Sequence, residues 1–206
     1  MSKIDINQRI PLNILEVGLR TFLEGTYDAA YLEEQLAFEY SGKNRVRKAM
    51  SFVNKIILRN PLLPLIEENK QEILNALKQK GDKSVILIAL LNSVFPISFT
   101  TLNSFAKYFQ VQEFISTELI KKDAISIYGS NRSTENALYC VIPMFLEAGM
   151  FLRKKPGLYQ SKEKTVIQSQ IAFNLYQQSF LINNPLLKDS EILIYEPYFT
   201  LVELVG

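Results

Sequence analysis

The chain has 206 residues, a formal net charge of +2, 48% hydrophobic and 21% charged content, no histidine and one cysteine. That length is enough for one domain or two small ones with a substantial core, and the composition is that of an ordinary globular protein. The missing imidazole excludes triads with a histidine base and His-containing zinc sites, and the lone Cys140 excludes an intrachain disulfide and a multi-cysteine metal site.

Gly and Pro are scarce, at eight each, and apolar residues recur at helical spacing along most of the chain. Met1 to Asp5 lacks the apolar run of a signal peptide, so a cytoplasmic protein is expected. Pro11 to Glu24 predicts a helix with Leu12, Leu15, Leu19 and Phe22 inward. Tyr27 to Tyr40 predicts a second, with Tyr31, Leu32, Leu36 and Tyr40 inward and Gly42 as terminator. Asn44 to Arg59 follows, with Val46, Met50, Val53 and Ile57 on one face, and Asn60-Pro61 ends it.

Leu62 to Lys80 reads as a short helix or pair, with Leu65, Ile66, Ile73 and Leu77 inward, closed by Gly81-Asp82. That turn is the best boundary between a helical N-terminal part, residues 1–82, and a C-terminal part, residues 83–206; Phe95 to Ser98 is the alternative. Lys83 to Asn92 is the most hydrophobic helix and belongs at the centre of the core. Ser84 to Ala106 has no charged residue, but only Val85 to Leu91 is continuously apolar, about a third of what a bilayer needs. It reads as a buried helix, a turn at Phe95-Pro96 and a second helix capped near Ser98 to Thr101, with no membrane span.

Thr101 to Phe109 carries Leu102, Phe105 and Phe109 inward, and Glu113 to Ser126 carries Phe114, Ile115 and Leu119. Ser133 to Ala148 turns Leu138, Val141, Ile142 and Phe145 inward, with Ser133 as expected N-cap and Pro143 as the site of an expected kink. Next, Arg153-Lys154-Lys155-Pro156-Gly157 lies between Met150-Phe151-Leu152 and Leu158-Tyr159, which predicts two short strands across a turn. Ile171 to Leu181 is a further helix candidate, and Glu191 to Val205 an extended or helical tail around Pro197. The fold class is therefore mainly α: a helical N-terminal part, and a winged-helix-like C-terminal part with a short β-hairpin.

Two stretches concentrate positive charge. Ser41 to Asn60 holds Lys43, Arg45, Arg47, Lys48, Lys55 and Arg59 and no acid, a local +6. Helix geometry projects Arg45, Lys48, Lys55 and Arg59 away from the apolar face, as a phosphate backbone would require. Lys121 to Lys164 holds eight basic and four acidic residues. There, Arg132, Thr134, Asn136 and Tyr139 open the helix that would enter a major groove. Arg132 and Asn136 are expected to reach bases, and Arg153, Lys154 and Lys155 the phosphates.

The 23 Tyr and Phe residues read as core, and Cys140 as a buried structural thiol. Glu33-Glu34, Glu67-Glu68 and Asp189-Ser190-Glu191 are surface carboxylates that do not converge, because adjacent helical residues diverge. Phosphate-binding, dinucleotide and nucleophile-elbow motifs are lacking, so a non-enzyme without cofactor or metal is expected.

The order of segments resembles the BrxA family, small helical proteins with winged-helix character from bacterial BREX phage-defence systems. The resemblance rests on Leu23-Glu24-Gly25-Thr26-Tyr27-Asp28-Ala29-Ala30, the helix through Arg47 to Arg59, and the uncharged central helix pair. It continues through Ser130-Asn131-Arg132-Ser133-Thr134 into Met144-Phe145-Leu146-Glu147-Ala148-Gly149, and spans about residues 14 to 160. It implies a double-stranded-DNA-binding accessory factor in host defence, associated with other subunits of a defence complex. The alternative expectation is a protein–protein adaptor that uses Leu62-Leu63-Pro64-Leu65 or the Tyr195 to Val205 tail and binds no nucleic acid.

Overall fold

The computed structural model describes residues 4–188 and 195–205. Its first five helices are α1 (Leu12–Leu23), α2 (Ala29–Glu39), α3 (Lys43–Ile57), α4 (Leu63–Glu68) and α5 (Lys70–Ala76). Sequence dictates their limits. The Asp28 carboxylate accepts the Ala30 and Tyr31 N–H groups and so starts α2. Leu32 and Leu36 are buried on α2, whereas Tyr31, expected inward, is exposed. On α3, Val46, Met50, Val53 and Ile57 are buried as their spacing predicts, joined by Ala49 and Ile56.

Asn60 does more than end α3. It is buried, its amide donates to the Ile56 and Leu90 carbonyls, and its carbonyl oxygen accepts from the Leu62 N–H and the Ser93 hydroxyl. It thereby ties the α3–α4 corner to α6 (Lys80–Val94), where every residue from Ser84 onward is buried. Gly81-Asp82, expected as a closing turn, is instead the first turn of α6, so the boundary drawn between residues 82 and 83 falls inside a helix. The Asp82 carboxylate is buried and accepts the Gln168 and Ser169 N–H groups at 2.8 and 3.3 Å. Gly81 allows close approach: a Cβ there would lie 1.9 Å from the Val166 carbonyl oxygen.

The helix after Phe95, α7 (Pro96–Phe109), begins five residues earlier than expected from Thr101, with Pro96 in its first turn. Ser98 does not cap it; its hydroxyl donates to the buried Asn92 side chain at 2.6 Å. The chain then runs through β1 (Phe114–Ser116), α8 (Thr117–Tyr128), α9 (Arg132–Glu147), β2 (Leu152–Lys155) and β3 (Leu158–Gln160). These strands form an antiparallel sheet of order β1-β3-β2, with Ile115 and Arg153 both opposite Tyr159. The fold is therefore mainly α with a short β-hairpin, as the sequence predicts. The strand β1 corrects the helix expected from Glu113: its Ile115 is buried but Phe114 is exposed.

Finally, β4 (Thr165–Ile167) pairs in parallel with β5 (Val202–Leu204) around α10 (Gln170–Asn183). Tyr198 stacks on Tyr176 at 4.1 Å, and its hydroxyl accepts from Asn92 at 2.8 Å and bonds Ser179 at 3.0 Å. Tyr198, Phe199, Leu201 and Val202 are buried, so this part of the tail is core and not the free apolar surface an adaptor would use. Tail residues 191–194 lie outside the described residues. One buried apolar cluster extends from Ile6 to Val202 and includes both parts of the chain. Among the described residues no helix is long and apolar enough to cross a membrane.

Candidate nucleic-acid interface

Asn131, not Ser133, caps α9: its side-chain oxygen accepts the Thr134 N–H at 3.0 Å. Ser133 lies one residue inside the helix, exposed. Thr134 is fully buried and its hydroxyl donates to the Gly129 carbonyl at 2.8 Å, so it shapes the turn and is no DNA contact. Leu138, Val141, Ile142 and Phe145 are buried as predicted.

At about 100° per residue, Arg132, Asn136, Tyr139 and Pro143 share one outward stripe of α9. Arg132, Asn136 and Tyr139 are exposed, Tyr139 by 71%. Helix continues from Arg132 to Glu147 across Pro143, which leaves the carbonyl of the exposed Tyr139 without its helical donor.

All four residues of β2 are exposed, and Arg153, Lys154 and Lys155 stand on this open strand. Register slips between Arg153 and Lys155, which makes Lys154 the bulge residue. The hairpin is anchored at both ends. At its tip, the Gly157 carbonyl accepts the Thr117 N–H at 2.9 Å. At its base, Phe151 stacks on Phe105 at 4.2 Å, and Tyr159 meets the same ring edge-on at 5.2 Å. Eleven of the 23 Tyr and Phe residues are buried, so about half of the aromatic enrichment is core.

On α3, Lys43, Arg45, Arg47 and Lys48 are exposed, and helix geometry divides them into two stripes. Lys43 and Arg47 line a groove against Glu33, Glu34 and Ala37 of α2. Arg45 and Lys48 lie on the other edge. Burial pushes the Cys140 thiol up to about 11, while the nearby Lys48 charge pulls it back down.

Lys55 is withdrawn from this surface. It pairs with Asp5 and lies over the Phe95 ring, 4.8 Å from its centroid. Helix arithmetic alone put it on the open face, but the N-terminal segment crosses that face and brings the acid. Lys121 is likewise held by Glu135, across from α8 to α9, at 2.6 Å. By contrast, Lys43, Arg45, Arg47, Lys48, Arg132, Arg153, Lys154 and Lys155 form no ion pair among the described residues.

Glu147, at the last turn of α9, accepts the Leu12 N–H at 2.8 Å and pairs with Arg9 at 2.7 Å. This links the start of α1 to α9. Sequence reasoning missed that link and a cavity of about 360 Å³ bounded by α8, α9 and the hairpin. Both join residues far apart in the chain and leave no local periodic signal. Among the described residues there is no group of three or more Cys, Asp or Glu arranged to hold a metal ion. No family profile, curated protein or solved structure matches this chain.

Proposed function

We infer that the protein is a non-enzymatic accessory factor that binds duplex DNA, mainly through the phosphate backbone. The observation that carries this reading is the arrangement around α9. Its exposed stripe of Arg132, Asn136 and Tyr139 is followed by the hairpin cations Arg153, Lys154 and Lys155, which pair with no carboxylate among the described residues. Tyr139 and Arg153 line one cavity. Clustered cations without carboxylate partners repel one another, and phosphates relieve that repulsion while releasing condensed counterions.

In this reading Arg132 and Asn136 meet base edges in the major groove, the hairpin cations grip the backbone, and the exposed cations of α3 add to the positive surface. Lys43 and Arg47 lie at the periphery, and Lys55 and Thr134 take no part. A role in phage defence beside other subunits of a defence complex rests on the resemblance to the BrxA family. A gel shift of random-sequence duplex across a salt series tests the DNA reading. Binding should weaken linearly on a log–log scale as salt rises. Absence of any shift at low salt would sink it.

A further inference from the structure

The cavity beside α9 has no role in phosphate binding, yet it opens beside the outward stripe of α9. Its wall on the α9 side is apolar, built from Leu138 and Ile142, with Tyr159 of β3 completing the floor. Tyr139 stands at the mouth and Arg153 on the wing wall. At the α8 end sits the Lys121–Glu135 pair, one donor group and one acceptor group 2.6 Å apart. Its volume of about 360 Å³ lies within the roughly 300–1,000 Å³ typical of sites for small organic ligands.

These features define the ligand's chemistry. An aromatic ring and a planar guanidinium in the same lining can each present a flat surface to a flat ring. The apolar floor disfavours an isolated charge, while the ion pair at one end offers hydrogen bonds to a polar edge. A nucleobase has such a flat body and such an edge. In an intact duplex its faces are covered by stacking, and only groove edges and phosphates are presented to the protein. We propose that this cavity receives a single unpaired nucleobase of the bound DNA, stacked on Tyr139 and covered by Arg153, with its edge toward Lys121 and Glu135. The proposal rests on the DNA-binding reading and gives it a substrate class: duplex that carries an unpaired base.

The test compares two duplexes of one sequence, one fully paired and one with a single-base bulge, by fluorescence anisotropy. Stacking of one base on an aromatic side chain favours the bulged duplex by about tenfold. Tyr139→Ala should lower affinity for the bulged duplex about tenfold more than for the paired one, so that the preference disappears, and should leave the salt slope unchanged, because Tyr139 carries no charge. Arg153→Lys, which keeps the charge and loses the plane, should reduce the preference and also spare the slope. Equal affinity of the wild-type chain for the two duplexes overturns the cavity assignment alone. So does an equal loss on both duplexes in Tyr139→Ala, which would make Tyr139 an ordinary groove contact. Binding to neither duplex at low salt overturns the DNA reading itself. Free adenosine monophosphate serves as a separate arm: if it fills the site and the bulged duplex gains nothing, the base comes from a free nucleotide and the proposal fails.

Discussion

Lys154 and Lys155 are the cations whose removal has the most calculable consequence. Both are exposed on β2, and neither pairs with a carboxylate among the described residues. The wing is held by Phe151, Tyr159 and the Gly157 carbonyl, so replacing both lysines with glutamine leaves its anchorage whole. The cost in stability should stay within about 0.5 kcal/mol, as for other open surface positions. If each lysine faces one phosphate, the log–log salt slope becomes shallower by about 1.8, at about 0.9 per phosphate. At about 0.1 M salt the same counterion release corresponds to roughly 60-fold weaker binding. That is about 2.5 kcal/mol at about 1.4 kcal/mol per tenfold. Lys154→Glu with Lys155→Glu should lose more, because repulsion replaces attraction. Anisotropy of a labelled duplex over a salt series measures both quantities at once. An unchanged slope together with unchanged affinity in both double variants refutes the assignment of β2 and β3 as a DNA-contacting wing.

Phe105→Ala should cost about 3–5 kcal/mol in denaturant unfolding, since it empties a fully buried site under the wing. A loss below about 1 kcal/mol would mean that Phe151 and Tyr159 do not depend on that ring. Gly81→Ala should lower stability by about 1–3 kcal/mol through overpacking against the Val166 carbonyl. A rise in melting temperature, as helix propensity alone dictates, would refute the close approach. The Cys140 thiol, pushed up to about 11 by burial, should react with iodoacetamide at pH 8 at least roughly 100-fold more slowly than a free thiol. Its rate should keep rising with pH beyond 9.0, and Lys48→Gln should move the midpoint further up, because the positive charge that favours the thiolate is gone. A plateau near pH 9.0 with no effect of Lys48→Gln would refute both the burial and the neighbour.

How much of this was legible in the sequence followed from how local each cause is. Val46, Met50, Val53 and Ile57 repeat at helical spacing and are buried together, and so do Leu138, Val141, Ile142 and Phe145. Pro156-Gly157 between two apolar runs marked the hairpin for the same reason, since a turn is set by its own residues. Strand β1 has three residues, too few for an alternation to register, and its pairing partner lies over forty residues away. Gly81-Asp82 carried the usual signature of a helix stop. Its glycine instead answers to the Val166 carbonyl and its aspartate to the Gln168 and Ser169 N–H groups, all distant in the chain. Within the candidate site, the exposed cations of α3 and the wing were visible as composition. The withdrawal of Lys55 by Asp5 was not, because that pairing depends on which segment crosses which face. Thr134, by contrast, about 200° from Arg132 on the helix, could have been set aside by helix geometry alone.

Rigidity of the surface follows from the same long-range contacts. Asn131 fixes the start of α9, and Glu147 fixes its end against Leu12 and Arg9. Phe105, through Phe151 and Tyr159, sets the wing against α7, and α7 in turn packs on α9. Because α1 and α3 belong to the same buried cluster, Lys48 is carried on the framework that carries Arg153. A polyanion meeting these cations therefore orders side-chain tips and not segments of backbone, which removes one of the main costs of association.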